Sequence, residues 1–371
     1  MANFLIHPQI SMFEDFAAFA KDFNLGENDL IVTNEYIYEP FIKKSGVKCP
    51  LIFQEKYGMG EPSDQMIDAI KKDASQYNYN RIVAVGGGTV IDICKVLVLG
   101  GEWTALDMFE NKVPRYKEKT LFAVPTTCGT GTEVTNVSIA SLIARNTKLG
   151  MAIPEIFPDY AIIIPDALAT LPYKVFATSS IDALIHAVES YTSPKATVFT
   201  ELFGEKAMEL IINGYLHIKA NGPDSWRDKA NDFLTASTFA GISFGNAGCA
   251  AVHALAYPLG GIYHIPHGEA NQLMFTAVYE AYKAKKPGGK LAQLEAYVGK
   301  LLGVPADEAI AELDNLLEVV LHRKALREYN IPESNLAEMA ASVVKNQTRL
   351  TANNYVPFTE EEYLKIYQAR Y

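Results

Sequence analysis

A chain of 371 residues, 49% hydrophobic and 20% charged, has apolar material for a sizeable core and room for two domains. Its formal net charge of −10, with no basic tract, argues against nucleic acids and anionic membranes as partners. No stretch approaches the roughly 20 apolar residues of a membrane-spanning helix. The opening MANFLIHPQI lacks a basic segment followed by a long apolar run, so no signal peptide is expected. Cys49, Cys94, Cys128 and Cys249 are scattered without metal or disulfide spacing, and a reducing cytoplasmic location is the expectation.

The first half alternates short β-rich runs with amphipathic helices. Strands are expected at 30–33, 51–54, 82–85, 121–124 and 161–164, all continuous apolar runs of the kind that strands buried on both faces show. Helical periodicity fills 63–76 and 89–99, with Pro62-Ser63 as a capping start. VSIASL and KLGMAI flank Arg145-Asn146-Thr147 as a hairpin. Strand and helix in alternation imply βαβ units and a mostly parallel sheet. From Ser179 onward no strand is expected. Helices are read at 179–192, 201–220, 226–242, 249–257, 266–285, 290–301, 305–320, 334–346 and 359–370, separated by proline and glycine clusters. The expected fold is an α/β dinucleotide-binding domain with a mostly parallel sheet, 1–175, followed by an all-α domain, 176–371.

Two loops in the first half suit phosphate. Gly86-Gly87-Gly88-Thr89 follows the run IVAV and opens a helix, where a glycine turn lets backbone N–H groups and the positive helix end approach an anion. A plain strand-to-helix turn needs fewer glycines. Cys128-Gly129-Thr130-Gly131-Thr132 follows LFAV, and Thr126, Thr127 and Thr130 add hydroxyl donors for pyrophosphate and ribose. Two such loops on neighbouring strand ends suit a dinucleotide better than a lone phosphate. Asp92 and Lys95, three apart on the helix after the glycines, read equally well as a surface ion pair.

The second half holds SSIDALIHAVESY and HALAYPLGGIYHIPHGEAN. Asp182 and His186 are four apart, so on a helix both side chains leave one face. Pro258, Gly260 and Gly261 are expected to break the helix carrying His253, and a second helix is expected to begin at Pro266, folding His267 back towards His253. Asp182, His186, His253 and His267 would supply one carboxylate and three imidazoles, a set that accepts Fe(II), Zn(II), Mn(II) or Co(II). By spacing alone, a core Asp–His hydrogen bond with two unrelated histidines accounts for the pattern equally well.

DALIHAVESY followed by HALAYPLGGIYHIPHGEAN, together with GGGTVIDICK and PTTCGTGTEVTN, resembles the paired signatures of the iron-containing alcohol dehydrogenase family, in the expected order over most of the chain. FQEKYGMGEPSD, FGNAGCAAVHALAYPLGG and NNYVPFT are similar to the 4-hydroxybutyrate dehydrogenases of that family. The resemblance implies a dehydroquinate synthase-like two-domain architecture. It implies a divalent metal, Fe(II) first and Zn(II) second, on Asp182, His186, His253 and His267. It also implies NAD on Gly86, Gly87, Gly88, Thr89, Thr126, Thr127 and Thr130, with Asp92 towards the nicotinamide and Lys148 near the ribose. The implied reaction is reversible hydride transfer between 4-hydroxybutyrate and succinate semialdehyde, with a small molecule as partner and a homodimer as the assembly. Glycerol-type dehydrogenases and dehydroquinate synthase are the rivals. The latter should surround the metal motifs with cations, and 179–192 and 249–271 contain neither Lys nor Arg.

Three positions depart from the family pattern or extend it. Where many members carry a second histidine for proton transfer, this chain has Tyr257, so Tyr257, a water chain or His264 must take that role. Asn34 follows LIVT where an acidic residue would discriminate against a 2′-phosphate, and the neighbouring Glu35 favours NAD. For the substrate carboxylate, Arg349, Asn136 and Tyr355 are the candidates, although an exposed structural arginine is the commoner fate of such a residue.

Overall fold

The computed structural model describes residues 4–145 and 147–371 and contains two compact units. One is Ile6–Leu171. The other joins Phe4 and Leu5 to Pro172–Tyr371.

The first unit is built on a six-stranded, all-parallel sheet in the order β1-β8-β5-β4-β2-β3. The strands are β1 Gln9–Met12, β2 Asp29–Thr33, β3 Leu51–Phe53, β4 Arg81–Gly86, β5 Thr120–Pro125 and β8 Tyr160–Ile163. A separate antiparallel pair, β6 Val137–Leu142 and β7 Thr147–Ala152, forms the expected hairpin, whose turn residue Asn146 lies outside the described residues. The apolar runs read as doubly buried strands because they are. Leu30, Val32, Ile82, Ala84, Leu121 and Ala123 enter the core on one face. Ile31, Val83, Val85, Phe122 and Val124 enter a second core on the other. β1 went unread because QISM is a largely exposed edge segment, and only its in-register pairing with β8, Gln9 to Tyr160 through Met12 to Ile163, makes it a strand. Since all six strands are parallel, their carboxyl ends share one edge. That edge gathers Asn34 after β2, Gly86–Gly88 at the end of β4 and Thr126 after β5.

The hairpin is tied to the helix Gly88–Leu97 by a buried polar cluster. Lys95 Nζ donates to Thr132 Oγ1 (2.5 Å), Thr135 Oγ1 (3.1 Å) and the Val137 carbonyl (2.7 Å). Asp92 accepts from Thr132 Oγ1 (2.5 Å) and from the Ile139 N–H (3.1 Å), while Ser138 Oγ donates to the Asp92 carbonyl (2.9 Å). Lys95 has no exposed surface, and its ammonium lies 3.6 Å from Asp92, so this is not the surface pair that its spacing also allowed. Burial draws the Lys95 pKa down to about 8, against the opposing pull of Asp92 and Glu133.

The second unit is helical. Its longer members are Tyr173–Thr192, Val198–Asn221, Ala230–Ala247, Ala251–Tyr263, His267–Lys285, Gly289–Leu302, Ala309–Val320, Leu336–Asn346 and Glu360–Gln368. No strand occurs here among the described residues. The helix carrying Asp182 starts at Tyr173 rather than at 179, directly after Pro172. A larger difference concerns Pro258, which does not break its helix. It removes only the N–H that would reach the Ala254 carbonyl. Ala254, Leu255 and Leu259 are buried around it, so packing holds the helix together through Gly260 and Gly261 to Tyr263. The stop is His264, in the left-handed region at φ 56°, whose N–H closes on the Gly260 carbonyl (3.2 Å). Pro266 is then the N-cap of the next helix, one position before the expected one. No single helix among the described residues is long and apolar enough to cross a membrane.

Replacing Lys95 by Met should cost about 3 kcal/mol, because the mostly buried Asp92 then loses its cation. Urea denaturation measures this, and adding Asp92→Asn should restore part of the loss. A single-variant cost below about 1 kcal/mol would mean the cluster does not hold the hairpin.

Candidate functional site

In the second unit the structure brings all four expected ligands together. Asp182 Oδ1 lies 3.5 Å from His253 Nε2, 3.6 Å from His267 Nε2 and 3.9 Å from His186 Nε2. A tetrahedral metal with bonds of about 2.0–2.2 Å holds its ligand atoms about 3.3–3.6 Å apart, which matches the separation of Asp182 from His253 and His267, whereas His186 lies further from Asp182 and groups more closely with His253 and Cys249. The i,i+4 pair on the helix Tyr173–Thr192 supplies Asp182 and His186. His253 comes from the first turn of Ala251–Tyr263, and His267 is the first residue of the following helix. His186 stacks on His253 at 4.6 Å between ring centroids and on Phe244 at 4.1 Å. Asp182, His186 and His253 are buried, whereas His267 is part-exposed.

Two further residues complete the cluster. The buried Glu189 accepts from His253 Nδ1 (2.6 Å) and from the Ala250 and Val252 N–H groups (3.0 and 2.7 Å), which tie it to the start of the His253 helix. A carboxylate so placed fixes the His253 proton on Nδ1. Nε2 is left with a lone pair, buried and without a hydrogen-bond partner, facing Asp182. An orphaned buried imidazole nitrogen beside a carboxylate and two more imidazoles fits a divalent cation. Asn271 Nδ2 donates to Asp182 Oδ1 (2.7 Å) and lies 3.3 Å from His267 Nε2. Sequence reasoning missed both residues, although a signal existed. Glu189 is three beyond His186 and Asn271 is four beyond His267, the same helical spacing that picked out Asp182 and His186.

The electrostatics point the same way. Burial opposes ionisation of Asp182, yet His186, His267 and His253 outweigh it and hold the carboxyl well below its usual range. Burial also opposes a charge on His253, but Cys249, Asp182 and Glu189 draw its pKa upward. Such a site attracts positive charge, and a proton competes with a metal ion for His253 Nε2.

The remaining candidates in this unit are less uniform. The Tyr257 ring is 6.1 Å from that of His267, and burial raises its hydroxyl pKa against the opposing influence of His253 and Arg349. Arg349 is exposed on the short turn Thr348–Thr351, close enough for its charge to reach Tyr257. Tyr355 points elsewhere, since its hydroxyl donates to the Gly288 carbonyl (2.8 Å) and Lys286 lies over its ring. His264 is an exposed helix cap.

In the first unit, the loops after β4 and β5 pack on each other. Gly87 caps the helix Gly88–Leu97 with no side-chain hydrogen bond, leaving its first N–H groups open to a ligand. A Cβ on Gly87 would meet Thr127 Cγ2 at 3.2 Å, and one on Gly88 would meet Thr130 Cγ2 at 3.0 Å, so a side chain at either position crowds the threonines of the neighbouring loop. Gly86 has a packing reason instead, because its Cβ would sit 2.6 Å from that of Val90. The Thr89 hydroxyl donates to the Gly60 carbonyl (2.9 Å). Thr126 is buried, with Thr127 and Thr130 part-exposed. Asp92 belongs to the Lys95 cluster described above. Lys148 is exposed and ion-paired with Glu61, and Asn136 is part-buried at the start of β6.

Because a glutamine can still accept from the Ala250 and Val252 N–H groups but no longer holds His253 by a charge, Glu189→Gln should keep the fold and weaken divalent-metal binding about 10–100-fold. Titrating metal-free protein with Zn(II) or Co(II) measures it. Unchanged affinity would show that Glu189 caps the helix and nothing more.

Comparison with known proteins bears on the whole chain. Residues 9–165 match the iron-containing alcohol dehydrogenase family, and residues 176–371 match the C-terminal part of the Fe-containing alcohol dehydrogenase family. The chain is 49% identical over 364 residues, 98% of both sequences, to 4-hydroxybutyrate dehydrogenase of Clostridium kluyveri. It is 33% identical to long-chain-alcohol dehydrogenase 1 of Geobacillus thermodenitrificans over 79% of this chain and 75% of that one. Among solved structures, a sulfoacetaldehyde reductase from Bifidobacterium kashiwanohense in complex with NAD+ shares the fold at TM-score 0.87 and 22% identity, over 100% of this chain and 98% of that one. A 1,3-propanediol oxidoreductase does so at TM-score 0.87 and 22% identity, over 100% of both chains. With both halves matched and a full-length relative at 49% identity, this chain belongs to the iron-containing alcohol dehydrogenase family.

Proposed function

We propose that the protein interconverts 4-hydroxybutyrate and succinate semialdehyde with NAD as the hydride carrier and Fe(II) as the resident metal. The observation that carries the substrate is the 49% identity to a 4-hydroxybutyrate dehydrogenase, sustained over 98% of both chains. A divalent cation on Asp182, His186, His253 and His267 would supply Lewis-acid polarisation of the substrate oxygen, and NAD would accept the hydride.

The chain's own residues do the rest. Glu189 keeps the His253 tautomer with Nε2 turned to the cluster, and Asn271 holds the Asp182 carboxylate in place. The Tyr257 hydroxyl, with its pKa raised by burial, stays protonated at neutral pH. A neutral hydroxyl passes a proton on only by giving up its own. Tyr257 therefore suits a relay between substrate and solvent rather than a terminal base. Arg349, whose charge reaches Tyr257, is the cation this reading assigns to the substrate's far carboxylate.

Two measurements test this reading. His267→Ala should lose metal and turnover together while the helical fold survives, and full turnover by a demonstrably metal-free variant would refute the assignment. Wild-type protein should oxidise 4-hydroxybutyrate better than butan-1-ol, because the terminal carboxylate gains ~1.5–3 kcal/mol from a charge-assisted contact. That is a factor of about ten to a hundred or more in kcat/KM. Arg349→Met should erase most of this preference and leave butan-1-ol nearly untouched. Equal turnover of the two alcohols by wild type would reject the substrate, whereas a preference retained in the variant would reject only Arg349.

A further inference from the structure

The end of β2 holds an arrangement that local sequence does not suggest. In parallel nucleotide-binding sheets, the ribose of the adenosine half meets the carboxyl end of the strand beside the glycine-rich one, and an acidic residue there repels a 2′-phosphate. Here that strand is β2. Val32 pairs with Ala84, so Asn34 comes level with Gly86 of the glycine turn. Asn34 is neutral and Glu35 is exposed.

The negative charge comes from the next strand. Thr33 pairs with Phe53 at the end of β3, which brings Gln54 and Glu55 alongside Asn34. Asn34 Nδ2 donates to Gln54 Oε1 (3.1 Å) and to Glu55 Oε2 (2.9 Å), while the Glu35 N–H donates to Glu55 Oε1 (2.6 Å). Gln54 is oriented in turn by Nε2 donating to the Gly58 carbonyl (2.9 Å). A carboxylate only accepts, so the Asn34 amide can face Glu55 in one sense only. Both of its N–H groups are used, and Oδ1 is left to accept. Asn34 is 4% exposed, and an amide held this firmly in a buried position is a recognition element rather than a surface polar group.

We infer that Glu55, not Glu35, makes the site select NAD over NADP. It does so by turning Asn34 Oδ1 outward as an acceptor for a ribose hydroxyl and by fixing a negative charge at that strand end. The inference rests on the nicotinamide reading above. Lys56, the adjacent cation, lies 4.9 Å from the centre of the Phe53 ring, over its face.

The test is binding, not turnover. Dissociation constants for NADH and NADPH are measured by fluorescence on wild type, Glu55→Gln, Glu55→Lys and Glu35→Gln. Wild type should bind NADH at least about tenfold more tightly, the change expected for one half-buried charge facing a phosphate. Glu55→Gln should remove most of that ratio, chiefly by tightening NADPH. Glu55→Lys should reverse it, and Glu35→Gln should leave it within about twofold. An unchanged ratio in both Glu55 variants, or a loss confined to Glu35→Gln, would overturn the inference. Equal binding of both cofactors by wild type would also overturn it while leaving the nicotinamide reading intact. Binding of neither would overturn both.

Discussion

A carboxylate and three imidazoles buried on apolar helices are expensive to take out of water unless a cation neutralises them. Asp182 and Glu189 sit on one helix, one turn either side of His186, and both are buried. Glu189 is satisfied by protein, with two backbone N–H groups and the His253 ring donating to its carboxylate. Asp182 accepts from Asn271, with the orphaned His253 Nε2 beside it. The second unit is therefore arranged around a charge deficit that its own side chains do not fill. The helix Ala251–Tyr263 is positioned by Glu189 at its start. The next helix is held against the first so closely that Gly268 has no room for a Cβ, which would lie 2.7 Å from the Thr178 carbonyl carbon.

The first unit meets its ligand by a different logic. A parallel sheet collects all carboxyl ends at one edge, and the amino ends of the following helices with them. Glycine fits closely at 87 and 88, where threonines of the neighbouring loop crowd the adjoining space. The Lys95–Asp92 cluster keeps that neighbouring loop and the hairpin in place. It is interior polar chemistry, and it supports the loops after β4 and β5 without belonging to the glycine turn.

Much of this was legible in one dimension. Apolar runs such as IVAV and LFAV announced strands covered on both faces, and the glycine turns after them lie at the carboxyl ends of those strands. The i,i+4 spacing of Asp182 and His186 announced a shared helix face. What stayed open was whether those four ligands met, because spacing cannot distinguish a core Asp–His bond from a coordination site. Local rules also misled at Pro258, where burial of Ala254, Leu255 and Leu259 outweighs one missing hydrogen bond. The strand Gln9–Met12 has no pattern of its own and exists through its neighbour.

By itself, then, the sequence determined the parallel sheet of the first half, the helical second half and the shared helix face of Asp182 and His186. Each of these follows from periodicity or turn chemistry, which are properties of short segments. The tertiary structure alone decided that His253 presents Nε2 and not Nδ1, that Lys95 is buried, and that the acid nearest Asn34 is Glu55 from the next strand rather than Glu35 from the next residue. These depend on contacts between segments distant in the chain, 64 residues apart for Glu189 and His253 and 21 for Asn34 and Glu55. No local pattern encodes such contacts. They are settled only when helices and strands pack and each buried donor and acceptor must find its partner.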